Sequence, residues 1–99
     1  MTVLEVLKAA RGLLSDERRW TKGAWARDAT GRAIKSREPG AVCYCPVSAI
    51  YLHDPDGRTG TCAVHALGVG GAAELVDYSD AEETTHADIM RLFDRAIEL

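Results

Sequence analysis

Three cysteines and two histidines in the middle of the chain are the residues whose types and spacing best suit a chemical role. Cysteine and histidine are the usual ligands of a tetrahedral zinc ion, and Cys62-x-x-His65 has a usable ligand spacing. A four-ligand set would consist of Cys43, Cys45, Cys62 and His65, with His53 as a further candidate. One hypothesis is therefore a metal-binding protein or a thiol enzyme that uses these residues.

The arrangement of the cysteines also gives reasons against such a site. Along an extended segment, Cys43 and Cys45 would point to opposite faces. Cysteine is often buried as a small apolar residue, and the odd count argues against a full disulfide framework. A Cys45 thiolate at a helix N-terminus would have a lowered pKa, but no base is visible in the sequence to serve a nucleophile. We therefore expect no cofactor and no catalytic residues.

The two ends of the chain predict the helices that would frame any site. Thr2 and Glu5 fit a capping box at the start of a first helix, which we expect to end at residues 14–16. Thr85 is the expected N-cap of the last helix, with Asp88 three residues on. The apolar stripe of that helix consists of Ile89, Leu92, Phe93, Ala96 and Ile97. We expect the two terminal helices to pack together and close the core.

A small hairpin and a proline-initiated helix are predicted next. The turn signal at residues 28–31 predicts a hairpin over residues 20–35. A short apolar run at residues 41–45 leads into Pro46, which is favourable at the first position of a helix. We expect that helix over residues 46–53.

Turn residues separate the remaining short elements. The turn at residues 54–57 ends the helix before it, and a second short helix is expected over residues 61–67. The glycines at residues 68–71 match neither the Walker nor the dinucleotide fingerprint, so they indicate a helix-terminating turn. Residues 72–78 form a further helical turn or a connection. The fold class is therefore α+β and mainly helical, with amphipathic N- and C-terminal helices, short central helices and a small β-hairpin.

Charge is divided between the two halves of the chain. Residues 1–40 carry nine basic and five acidic side chains, a net +4, whereas residues 41–99 carry three basic and ten acidic side chains, a net −7. Such polarity either orients a protein toward a charged partner or lets its two halves attract each other. The interaction candidates are Arg18, Arg19, Trp20, Trp25, Arg27 and Arg32 in the basic part and Asp77, Asp80, Glu82 and Glu83 in the acidic part.

A structural role for the same residues is the alternative. The net charge is −3, whereas dedicated nucleic-acid-binding domains are more often basic. Two tryptophans in a chain of this length favour core and edge packing, with one indole N–H hydrogen-bonded. The acidic stretch at residues 77–88 is typical of a solvated linker before a helix. We expect His86, in the first turn of that helix, to be exposed.

Length and composition favour a single domain over residues 1–99. The chain is 46% hydrophobic and 27% charged, which is ordinary for a soluble globular protein. No apolar run approaches the roughly 18 residues that a membrane span needs, and the first residues lack the features of a signal peptide. We expect a cytoplasmic protein that is a monomer or a weak dimer, because like charges would meet across a symmetric pairing of the hairpin edge.

Three motifs in chain order resemble a known family. Trp-x-Lys-Gly-Ala-x-Ala-Arg-Asp stands at residues 20–28 and Tyr-Cys-Pro-Val-Ser-Ala-Ile at residues 44–50. Thr-His-Ala-Asp-Ile-x-x-Leu-Phe-Asp-Arg-Ala-Ile stands at residues 85–97. Behind an amphipathic first helix, this order resembles a family of small uncharacterised bacterial and phage proteins, defined as a domain of unknown function. The resemblance covers nearly the whole chain, implies a bacterial or phage origin and brings no catalytic residues.

Three hypotheses about function follow. The favoured one is a small, non-catalytic protein-interaction domain, with an accessory or anti-defence role as a narrower version of it. The second is the metal-binding or thiol enzyme described above. The third is nucleic-acid binding through the basic, tryptophan-containing hairpin. We expect another protein as the partner in preference to nucleic acid, and no membrane association.

Overall fold

A computed structural model describes residues 2–54 and 57–98 of the chain. Within these residues, five helices and three short strands are formed. The helices are α1 (Val3–Leu14), α2 (Pro46–Leu52), α3 (Arg58–Ala66), α4 (Ala72–Asp80) and α5 (His86–Glu98), and the strands are β1 (Ala26–Asp28), β2 (Ala33–Ile34) and β3 (Ala41–Tyr44). The predicted α+β, mainly helical fold class is confirmed.

Capping boxes start both terminal helices, as the sequence predicts. At α1 the backbone N–H of Glu5 donates to Thr2 Oγ1 (3.1 Å), and the backbone N–H of Thr2 donates to Glu5 Oε1 (2.9 Å). At α5 the same pattern joins Asp88 N to Thr85 Oγ1 (3.2 Å) and Thr85 N to Asp88 Oδ2 (3.0 Å). These boxes pair backbone groups that a helix leaves without partners in its first turn.

The core lies between the helices, with α1 at its centre. α1 packs against α2, α3 and α5, and α4 packs against α2 and α3. The expected contact between the terminal helices is confirmed, and an ion pair between Arg11 Nε and Asp94 Oδ1 (2.5 Å) lies across it. The largest fully buried side chains include Phe93, Leu7, Leu14, Ile50, Leu75 and Ile89.

The hairpin is shorter than the sequence predicts. Its three-stranded antiparallel sheet has the order β2-β1-β3, with Ala26 opposite Ile34 in β2 and opposite Tyr44 in β3. The turn forms as expected, because the Asp28 carboxylate accepts the backbone N–H groups of Thr30 and Arg32. The prediction of a strand from residue 20 onward is wrong. Gly23 has a positive φ of 76°, and the chain reaches β1 only at Ala26.

The central helices follow the predicted order with different lengths. α2 begins at Pro46 as expected and ends at Leu52, and His53 caps it by donating from Nδ1 to Ala49 O (2.7 Å). α3 begins three residues before the predicted start, because Gly57 (φ 78°) turns the chain directly into the helix. Pro55 and Asp56 of the predicted turn lie outside the described residues.

α4 is the largest departure from the prediction, since residues 72–78 become part of a complete nine-residue helix. Leu75 and Ser79 on this helix are fully buried. Packing of these two side chains stabilises a helix that its mixed local sequence does not specify. The acidic stretch is therefore only partly a linker, because Asp77 and Asp80 belong to α4.

We expect stability to fall with pH between about pH 4 and pH 2. A hydrogen bond from the Arg18 side chain lowers the pKa of Asp16 from 3.8 to about 2. The Arg11 side chain lowers the pKa of Asp94, and the backbone N–H of Thr85 lowers the pKa of Asp88. The folded state therefore binds fewer protons than the unfolded chain in this range, so these contacts stabilise the fold above the unfolded pKa and are lost on acidification.

Urea unfolding at pH 7, 4, 3 and 2 measures this dependence. Asp16→Asn should reduce the slope below pH 4, whereas Glu83→Gln, at an exposed acid outside these contacts, should leave it unchanged. A midpoint that does not change with pH over this range would contradict the expectation.

Candidate interaction site

The four proposed metal ligands occupy separate places in the fold. Cys43 lies in β3, Cys45 is the buried N-cap of α2, and Cys62 and His65 are exposed on α3. Among residues 2–54 and 57–98, no three His, Cys, Asp or Glu side chains are grouped so as to hold a metal ion. The predicted four-ligand set does not assemble, because β3 and α3 place its members apart.

The expectation of a reactive Cys45 thiolate is also wrong. Burial raises the pKa of the Cys45 thiol, and this effect exceeds the opposing hydrogen bonds from Ser48. The Ser48 backbone N–H donates to Cys45 Sγ (3.4 Å), and Ser36 Oγ donates to Ser48 Oγ (2.7 Å). The thiol is a helix cap within a short chain of side-chain hydrogen bonds, and the neutral form is favoured.

Segment 20–25 joins the sheet to the acidic end of α4. Trp20 Nε1 donates to Ser79 Oγ (3.1 Å), Lys22 Nζ donates to Ala81 O (2.6 Å), and the backbone N–H of Gly23 donates to Asp80 Oδ1 (3.0 Å). These bonds bring the basic and acidic parts of the chain into contact, as one of the two interpretations of the charge pattern expects. They also hold the backbone that leads to Trp25.

His86 is half-buried, which corrects the expectation that it is exposed. Its Nε2 donates to Leu14 O (2.6 Å) at the end of α1, and its ring lies 6.0 Å from the Trp20 ring, centroid to centroid. Lys22 Nζ lies 5.4 Å from the centroid of the Trp20 ring, which suits a cation–π contact. Trp20 is therefore the tryptophan with the hydrogen-bonded indole that the sequence predicts.

The six basic-part candidates divide into two groups. The Arg27 guanidinium donates to Thr21 Oγ1, Lys22 O and Gly31 O, so it holds the loop together. Arg18 pairs with Asp16, while Arg19 and Arg32 are exposed. Trp20 is half-buried and Trp25 is exposed, so the two tryptophans have opposite roles. All four acidic candidates, Asp77, Asp80, Glu82 and Glu83, are exposed.

Trp25 is the most exposed large apolar side chain among the described residues, with 54% of its surface accessible. Its backbone carbonyl accepts the N–H of Cys45 (3.0 Å), so the residue is fixed to the start of α2 while its indole faces solvent. Large exposed aromatic side chains on an ordered backbone are typical of binding surfaces.

Two clefts lie beside the Trp25 ring. The upper cleft, of about 570 Å³, has walls that include Ile34, Val76 and Asp80. The lower cleft, of about 680 Å³, has walls that include Arg37, Val47 and Tyr51. Trp25 and Lys35 line both clefts, so these two side chains form the boundary between them. We call the two clefts together the Trp25 groove.

Lys35 and Arg37 belong to the groove but not to the candidate residues chosen from the sequence. Both are part of the basic run that contains Arg32, and that run was the available signal. Their place could not be deduced, because the chain must fold back over α2 to bring them beside Trp25. Arg37 Nη2 donates to Tyr51 O (3.0 Å), which fixes that connection.

A third cavity, of about 460 Å³, lies on another part of the surface and is lined by Arg18, Arg19 and Val42 among others. It contains neither tryptophan. The predicted basic, tryptophan-containing surface is therefore split, with Arg18 and Arg19 at this cavity and Trp25 at the groove. Val42, with 48% of its surface exposed, gives a comparison for Trp25 outside the groove.

The fold and the groove define a small, mainly helical α+β domain that presents one tryptophan between two apolar clefts. Across the part of the chain that the structure describes, no helix is both long enough and apolar enough to cross a membrane. The chain belongs to the Family of unknown function (DUF6197), whose model matches residues 1–99. The resemblance to an uncharacterised domain family is thereby confirmed. Comparisons with curated proteins and with solved structures found no match.

Proposed function

We propose that this protein is a small, non-catalytic interaction domain that binds a partner protein through the Trp25 groove. The observation that carries the proposal is the exposure of Trp25 on a backbone held by hydrogen bonds to its neighbours. Tryptophan is enriched among the residues that contribute most to protein–protein binding, because it buries a large area with few rotatable bonds.

The surroundings of Trp25 support binding without a large rearrangement. Trp20, Lys22 and Gly23 tie the preceding segment to the end of α4, so little ordering is required when a partner arrives. Less lost conformational entropy leaves more of the contact energy as affinity. The clefts on both sides of the ring offer apolar walls to the partner side chains that flank Trp25.

The cellular setting belongs to the same proposal. The resemblance in its motifs supports a bacterial or phage protein, and the composition supports a place in the cytoplasm. Small size and divided charge support an accessory role, of which inhibition of a host defence complex is one form. We propose a monomer or weak dimer as the form that meets its partner.

Affinity capture from the native host with three forms of the protein tests the proposal. We expect wild-type protein to retain a partner reproducibly, Trp25→Ala to lose it, and Val42→Ala to retain it. Trp25→Ala should reduce affinity by about tenfold or more, the effect of removing an aromatic anchor. Val42→Ala is the matched control, because Val42 is exposed to a similar extent outside the groove.

Two results would count against the proposal. One is a partner retained equally by wild-type protein and Trp25→Ala, which would place the interface elsewhere. The other is the absence of any reproducible protein partner. Far-UV circular dichroism of both variants checks that neither substitution acts by unfolding the domain.

A further inference from the structure

We infer that the Trp25 groove binds an extended, acidic segment of its partner that carries one apolar side chain. This inference rests on the proposed function and names the chemistry of the partner. It follows from which charges at the groove are already engaged within the fold and which are not.

The basic side chains at the groove have no acidic partners within the part of the chain that the structure describes. Lys35 and Arg37 line the lower cleft, and Arg32 stands on the same arm two residues before Ile34. All three are exposed, and none makes an ion pair with a described residue. Arg37 donates to a backbone carbonyl, a contact that leaves its positive charge uncompensated.

The acidic side chains of the upper cleft are engaged, in contrast. Glu38 Oε1 accepts the backbone N–H of Lys35 (3.2 Å), and Asp80 Oδ1 accepts the backbone N–H of Gly23 (3.0 Å). Both carboxylates thus hold the loops that form the groove. A partner with carboxylates would pair with the free cations, whereas a basic partner would compete with these internal contacts.

The apolar part of the groove defines the second feature of the partner. Ile34 and Val76 lie in the upper cleft beside the Trp25 ring, and Val47 lies in the lower cleft. An aliphatic side chain placed on the indole would remove apolar surface from water on both sides of the contact. Carboxylates before and after it would then reach Lys35 and Arg37.

The shape of the partner segment follows from the sheet. β2 is an edge strand, and its residues Ala33 and Ile34 line the upper cleft. An extended peptide adds readily to an exposed strand edge, where it hydrogen-bonds to backbone groups. The groove thus combines an edge for the peptide backbone, an indole for one apolar side chain and cations for its acids.

Nuclear magnetic resonance with synthetic peptides tests this inference. The chain has two tryptophans and hence two indole N–H signals, which Trp25→Ala assigns. The probes are a short peptide of glutamates around a central leucine, the same peptide with lysines for glutamates, and the acidic peptide with serine for leucine. We expect the acidic leucine peptide to shift the Trp25 indole signal and the amides of residues 33–37. The Trp20 indole signal should stay, because that indole is bonded to Ser79.

Charge-reversal variants separate the groove from general attraction. Lys35→Glu with Arg37→Glu should weaken binding of the acidic leucine peptide by roughly tenfold or more. Arg19→Glu with Arg95→Glu changes the net charge equally at exposed residues outside the groove, and should weaken binding less than threefold. The serine peptide should bind more weakly than the leucine peptide.

The remaining outcomes overturn the inference in distinguishable ways. Equal or tighter binding of the lysine peptide at Trp25 would overturn the acidic partner and leave the proposed function standing. Tighter binding of a single-stranded oligonucleotide at Trp25 would overturn both. No shift of the Trp25 signal at millimolar acidic peptide, with a partner still captured through Trp25, would overturn the inference alone.

Discussion

Phe93→Ala should lower the free energy of unfolding by about 3–5 kcal/mol, the usual cost of removing a fully buried aromatic side chain. Phe93 has no exposed surface and lies in the cluster of buried residues that α1 and α5 share with the central helices. The substitution removes apolar contacts and leaves a cavity that the surrounding helices cannot fill completely. Urea unfolding followed by far-UV circular dichroism measures the change.

Leu4→Ala is the control for this experiment, because Leu4 lies on α1 with 44% of its surface exposed. A change within about 0.5 kcal/mol is expected there. A Phe93→Ala protein within about 1 kcal/mol of the wild type would contradict the packing described above. It would make α5 a peripheral element that is available to a partner.

Trp20→Ala should lower the free energy of unfolding by about 2–4 kcal/mol, somewhat less than a fully buried aromatic because Trp20 is half-buried. The substitution removes the hydrogen bond to Ser79, the contact with the His86 ring and the cation–π contact with Lys22. Segment 20–25 would lose its main tie to α4, so affinity at Trp25 should fall as well. Urea unfolding and the peptide titration measure the two effects.

Two further substitutions divide the effect at Trp20. Trp20→Phe keeps an aromatic ring but loses the indole N–H, and should cost about 1 kcal/mol. Trp25→Ala makes the same chemical change as Trp20→Ala at an exposed residue, and should leave stability within about 0.5–1 kcal/mol of the wild type. Equal stability losses at the two tryptophans would contradict their assignment to packing and to binding.

The division of labour between the tryptophans also explains why a basic hairpin does not act as one surface. Arg27 bonds to three acceptors within its own loop, whereas Lys35 and Arg37 lie beside Trp25 with their charges uncompensated. The interaction site therefore takes its cations from the arm after β2. Segment 20–25 contributes the indole and the rigid backbone beneath it.

Local signals in the sequence determined the terminal helices, the turn at Asp28 and the start of α2. A capping box joins residues three apart, and an apolar stripe repeats within one helix, so both can be recognised without knowing the fold. Pro46 restricts its own backbone and starts α2 as expected. The mainly helical α+β class follows from these elements alone.

The tertiary structure alone decided the length of α4, the environment of Cys45 and the roles of the two tryptophans. α4 extends to Asp80 because Leu75 and Ser79 are buried by other helices, and the Cys45 pKa rises because the core covers its thiol. Trp20 and Trp25 are five residues apart in similar basic surroundings. Only the contact with Ser79, 59 residues along the chain, separates them, and a local pattern carries no information about such a contact.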